Sequence, residues 1–111
     1  MNHEVTLHEQ MILLSVWRLQ GDAYGVTLRE NVREITGREI HYGTLYNTLN
    51  KLVGKALVRT RTGEPTGERG GRRKIFYELT PRGKASLRKA RELQKALWSG
   101  IPDLAGEAGE A

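Results

Sequence analysis

The chain has 111 residues, of which 28% are charged, a formal net charge of +5 and no cysteine. That length suits one domain with a core of its own, and the missing thiols exclude a disulfide framework and any thiolate-held metal. No apolar run approaches the ~20 residues of a membrane span.

Residues 7–20, LHEQMILLSVWRLQ, read as a first helix. Met11, Ile12, Leu13, Leu14, Val16, Trp17 and Leu19 make it apolar on nearly every side, which predicts burial on more than one face. In so small a domain, one face can meet the core and another a second subunit; the alternative is a central core helix of a monomer. QGDAYG at 20–25 is a glycine-bearing turn. Residues 25–36 form a second helix with Leu28, Val32 and Ile35 inward. Its Arg29, Glu30, Arg33 and Glu34 are spaced as a solvated, salt-bridging face. Gly37 closes it as a left-handed cap.

After a short extended piece at 38–40, HYGTLYNTLNKL (41–52) reads as a third helix. Leu45, Leu49 and Leu52 have the i, i+4, i+7 spacing of one buried face. The other face carries His41, Tyr42, Thr44, Asn47, Thr48, Asn50 and a single charge, Lys51. Residues 56–61, ALVRTR, and 73–80, RKIFYELT, are strand-like. The glycine-rich 62–72 between them is a loop. Thr80 as N-cap and Pro81 in the first turn start a last helix, 80–98, with a sparse stripe of Leu87, Ala90, Leu93, Ala96 and Leu97. The tail beyond has too little apolar content to pack. Three helices, a hairpin and a helix give the fold class: mainly α with a β-hairpin wing, a winged helix-turn-helix.

Charge is segregated along this order. Residues 1–58 are neutral, 59–95 carry a net +8 and 96–111 a net −3. A concentrated basic block suits an anionic partner, nucleic acid before membrane surface. The third helix suits the same partner differently. Asn can bond adenine bidentately, and Thr can bond several bases or touch a thymine methyl. The bases-facing candidates are Thr44, Asn47 and Asn50, with Lys51 beside them. His41 could cap the helix or meet a phosphate. Tyr46 could pack at the core rim or meet a phosphate. In the wing, Arg69, Arg72, Arg73 and Lys74 flank two glycines, an arrangement that suits the backbone or the minor groove.

Together these segments resemble the PadR family of transcriptional regulators over about residues 7–98. The resemblance rests on ILLSVWRLQGDAYGVTLRENV, on GTLYNTLNKLVGKALV and on GGRRKIFYELTPRGKASL. Gly43, Thr44, Leu45 and Tyr46 match the opening of the family's recognition helix, and Gly71, Arg72, Arg73, Lys74, Tyr77, Leu79 and Thr80 match its wing. The resemblance implies a homodimeric repressor of the small subfamily, with a winged helix at 5–80 and a C-terminal dimerisation helix at 81–99, and composition adds a disordered acidic tail at 100–111. It implies double-stranded DNA and a second copy as partners, and some members take an aromatic effector near the dimer interface. Trp17, Leu93, Leu97 and Trp98 are the interface or effector candidates, with ordinary packing the competing role for the two tryptophans. Two positions depart from the pattern. Gly54 and Ala56 stand where Glu and then Gly are common, and Tyr42 stands where a smaller residue or proline is common.

The competing expectation is a winged-helix module that binds an acidic protein, since fold alone does not fix function. Lys and Arg on the third helix would serve that better than Asn and Thr. Enzymatic chemistry has no support. His3, His8 and His41 are scattered, HEQM is not a His-Glu-x-x-His, and the glycines of 63–71 lack the context of a phosphate loop. No cofactor or metal is expected, and the first ten residues lack the layout of a secretory signal, so the expected location is the cytoplasm.

Overall fold

In the computed structural model, which describes residues 4–63 and 73–102, Thr6 opens the first helix, α1 (Leu7–Arg18). The Thr6 hydroxyl accepts from Glu9 N–H at 3.0 Å, and the Glu9 carboxylate accepts from Thr6 N–H at 2.9 Å. This reciprocal cap satisfies two donors that the helix itself leaves unpaired. Ile12, Leu13 and Val16 are fully buried, whereas Leu7, Leu14 and Trp17 stay exposed, Trp17 by 41%. Burial on more than one face is therefore not achieved within a single chain. The helix stops short of residue 20 because Leu19 leaves the helical conformation and Gly21 turns at φ 84°.

Helix α2 (Gly25–Thr36) ends on Gly37 at φ 74°, the left-handed cap its sequence predicts. Leu28 and Val32 are buried, but Ile35 is 54% exposed, contrary to expectation. Its angular position is right. The last turn, residues 33–36, holds no buried residue, so nothing packs there for Ile35 to join.

Helix α3 (Tyr42–Gly54) sinks Leu45, Leu49 and Leu52 completely into the core. It leaves through a double-bonded turn. Leu57 N–H donates to Leu52 C=O at 3.0 Å and Ala56 N–H to Val53 C=O at 2.9 Å. That is the Schellman pattern, which needs a left-handed residue and usually takes glycine. Here Ala56 holds it, at φ 60°. Residues 56–57 are thereby spent on the turn, and strand β1 runs Val58–Thr62 rather than from 56.

Strand β1 pairs antiparallel with β2 (Ile75–Leu79), with Thr60 opposite Tyr77. Tyr77 is buried, and its N–H reaches across to Ala23 C=O at 2.8 Å, which ties β2 to the α1–α2 turn. Strand β2 ends before Thr80 because that residue caps helix α4 (Pro81–Trp98). The Thr80 hydroxyl accepts from Gly83 N–H at 2.9 Å and donates to Ala56 C=O at 2.7 Å. Gly83 lies so close to the Leu57 carbonyl that a Cβ would collide with it. Helix α4 enters the core through Leu87, while Leu93, Leu97 and Trp98 are exposed.

Among the described residues these elements order as winged helix-turn-helix plus a C-terminal helix, and no helix is long and apolar enough to cross a membrane. The wing candidates Arg69 and Arg72, and residues 103–111 of the tail, lie outside the described residues.

Candidate nucleic-acid interface

The core leucines of α3 decide what its other face can present. His41, Tyr42, Gly43, Thr44, Tyr46, Asn47, Asn50 and Lys51 are all exposed. A Cβ built on Gly43 would meet nothing within 4 Å, so the first turn is open to close approach. Among these residues Lys51 is the one Lys, Arg, Asp or Glu, set in the last turns of the helix. The surface is an array of short donors and acceptors on a rigid mount.

Thr48 does not belong to that array. It is buried, accepts from or donates to His8 Nε2 at 2.9 Å, and donates to the Thr44 carbonyl at 3.0 Å. With its hydroxyl proton on Thr44, the bond from His8 must be donated by the ring. His8 thus sits in a capped first turn against α3. His41 occupies the N-cap position of α3, but its imidazole makes no capping bond. Of the two roles open to it, capping by the side chain is not the one observed.

The entrance to α3 is more built than its sequence suggests. The Tyr42 and Tyr46 rings stack with centroids 6.2 Å apart and planes at 22°. Arg29 of α2 lies over the Tyr42 ring at 4.8 Å, and its Nε donates to the Ile40 carbonyl at 2.7 Å. Arg29 is therefore not part of the solvated face predicted for α2. The Tyr46 hydroxyl lies against Gly25, where any Cβ would clash with it. Tyr46 nonetheless keeps 43% of its surface exposed. It occupies the rim position and leaves an edge open to solvent.

At the other end of α3, Lys55 Nζ meets Glu9 Oε2 at 2.8 Å. Burial alone would raise the Glu9 carboxyl, but the Lys55 ammonium and the Thr6 N–H and hydroxyl together hold it below its usual value. Burial pushes the Tyr77 hydroxyl up, helped by the neighbouring Tyr46.

Arg73 and Lys74 stand exposed where the wing returns to β2. Lys74 Nζ lies 4.4 Å from the centre of the Tyr24 ring, Tyr24 meets Phe76 edge-on at 5.6 Å, and Arg61 covers Phe76 at 4.6 Å. This alternation of cations and rings fixes the base of the wing beside the start of α2. Glu78 lies 3.2 Å from Arg59 and 3.8 Å from Arg61 and offsets part of the strand's charge.

The interface and effector candidates fall in two places. Trp17 lines a cleft of about 420 Å³ with Val16, Arg59, Tyr77 and Lys84. Leu93 lines a groove of about 580 Å³ between α4 and the residues before α1, with Val5, Leu57 and Ala90. Leu97 and Trp98 lie further along α4, exposed by 63% and 50%. Among the described residues no three His, Asp or Glu side chains gather as a metal site would require.

The family model of PadR-like transcriptional regulators matches residues 13–89, more than half of the chain. The chain belongs to this family. Solved structures of transcriptional regulators are similar over most of the chain. A transcriptional regulator from Clostridium thermocellum is 25% identical with a TM-score of 0.68, over 84% of this chain and 87% of that one. A PadR-like transcription factor from Bacteroides fragilis is 25% identical with a TM-score of 0.68, over 82% of each chain. A PadR family regulator from Clostridium difficile is 29% identical with a TM-score of 0.57, over 83% and 88%. No curated protein matches significantly. As a PadR-like protein the chain is a transcriptional regulator and not an enzyme.

Several features of this PadR-like site escape sequence reading. The Thr6–Glu9 cap carries a readable Thr-x-x-Glu signal. The His8–Thr48 bond, the Arg29–Tyr42 contact and the need for Gly25 carry none, because each joins elements distant in the chain.

Proposed function

We propose that the protein is a homodimeric repressor that reads double-stranded DNA with α3 in the major groove and contacts the backbone with the wing. The observation that carries this reading is the division of α3. Its inward leucines are fully buried, and its outward face offers Thr44, Asn47 and Asn50 with almost no charge. Such side chains select bases, whereas phosphate contacts only position the protein. Arg73 and Lys74, with Arg69 and Arg72, supply the second kind of contact.

Dimerisation is supported by what one chain leaves uncovered. Leu7, Leu14 and Trp17 of α1 and Leu93, Leu97 and Trp98 of α4 are large apolar side chains in solvent, on two helices that pack against each other. A second copy would cover them, and an aromatic effector would find its partners in Trp17 and Trp98. Two copies of α3 would then enter successive major grooves about 34–36 Å apart.

The test is selection from random duplexes, followed by titration of the selected site against salt. Log affinity should fall steeply and linearly with log salt, because neutralised phosphates release counterions. A flat response, or binding to acidic protein but not to duplex, overturns the reading.

A further inference from the structure

We infer that Arg29 is a positioning residue for sequence readout, and that the side chain it positions, Tyr42, contacts a thymine methyl group. This assignment rests on the placement of α3 in the major groove proposed above.

Arg29 lies on α2 among Glu30, Glu34 and Arg33, where a salt-bridging role would be ordinary. Arg33 takes such a role with Glu39 at 3.9 Å. Arg29 instead bonds a backbone carbonyl, that of buried Ile40, at 2.7 Å. The bond holds the guanidinium carbon 4.8 Å from the centre of the Tyr42 ring. Tyr46 stacks on the same ring, and Gly25 gives Tyr46 the room to do so. Tyr42 therefore has two fixed neighbours, yet 41% of its surface remains exposed.

A large exposed aromatic side chain held still is expensive to maintain unless it meets something. Fixing it beforehand removes the ordering cost that binding would otherwise carry. Tyr42 is the first residue of α3, and the N-terminal residues of a recognition helix are those that contact base edges. The floor of the major groove offers one apolar group to an aromatic edge, the C5 methyl of thymine. Arg29 suits the positioning task because its rigid, delocalised fork can bond the Ile40 carbonyl and cover the ring at once, whereas a lysine ammonium meets a ring only as a flexible point charge.

The experiment replaces each thymine of the selected duplex in turn by deoxyuridine, which lacks only the methyl. One position per half-site should weaken wild-type binding by about fourfold, the worth of one buried methylene-sized group at ~0.8 kcal/mol. Tyr42→Ala should abolish that discrimination, and Tyr42→Phe should retain it. Arg29→Lys should reduce it without changing the salt slope, and thermal melting of each variant confirms that it is folded. Wild-type indifference to every methyl, or methyl sensitivity that survives Tyr42→Ala, overturns the assignment. So does Arg29→Gln that lowers the salt slope by about one with discrimination intact, since Arg29 would then be a phosphate contact. A wild-type protein that enriches no sequence overturns the major-groove reading itself, whereas one that enriches a site but ignores its methyl groups overturns this assignment alone.

Discussion

Lys55 Nζ stands 2.8 Å from Glu9 Oε2 and joins the exit of α3 to the first turn of α1 across 46 residues of chain. Glu9 performs two tasks there, since its other oxygen caps the helix through Thr6 N–H. Glutamine can perform the cap but not the ion pair. Glu9→Gln should therefore cost about 1–2 kcal/mol near neutral pH. The carboxyl is lowered in the folded chain, so its contribution is present above the unfolded carboxylate value and is lost as pH falls through the folded one. Urea denaturation at a series of pH values should show wild type and variant converging in acid.

Ala56 holds a left-handed conformation at φ 60° in a turn that usually takes glycine. That conformation costs an L-residue roughly 1–2 kcal/mol, part of which glycine gives back in chain entropy. Ala56→Gly should stabilise the protein by about 0.5–1 kcal/mol, and Ala56→Val should destabilise it. Thermal and urea unfolding measure both.

Asn47 and Thr48 are adjacent and chemically similar, yet their substitution should have opposite signatures. Asn47→Ala should change which base is preferred and leave stability within about 0.5 kcal/mol. Thr48→Val removes a bonded, buried hydroxyl and the acceptor of His8, so it should cost about 1 kcal/mol or more of stability and leave base preference unchanged. Lys51→Ala and Arg73→Ala should weaken all sequences alike and each reduce the salt slope by about one. Sequence selection with each variant separates the three classes.

The exposed stripe of α4 gives a prediction about assembly. Leu93→Glu combined with Leu97→Glu alters side chains that one chain leaves in solvent, so it should barely disturb the fold of a single copy. It should move the sedimentation equilibrium to monomer and weaken binding to a two-half-site duplex at least tenfold, with binding to a single half-site spared.

Much of this architecture is legible in the sequence where its causes are local. The leucines at 45, 49 and 52 announce a buried face by their period. Gly37 and Thr80 announce helix ends by their chemistry, and both stand where they should. Ile35 fails because periodicity gives direction around a helix and not how far its neighbours extend. The start of β1 fails because the turn built on Ala56 consumes two residues that look like strand. At the candidate interface, the polar array was readable but its membership was not. Thr48 leaves it for a partner 40 residues away, and Arg29 joins its border through a contact between two helices.

Tyr77 N–H, bonded to the Ala23 carbonyl, has a further effect at the rim of the hairpin. It occupies the outer edge of β2 at its midpoint, while the inner edge is paired with β1. The rim left open belongs to β1, where Arg59 and Arg61 stand in solvent. Charged side chains on an edge strand discourage its pairing with a strand of another molecule. A two-stranded ribbon is ordinarily a template for aggregation. This one is pinned on one side by a backbone bond and guarded on the other by charge, so neither rim offers a free ladder to a passing strand.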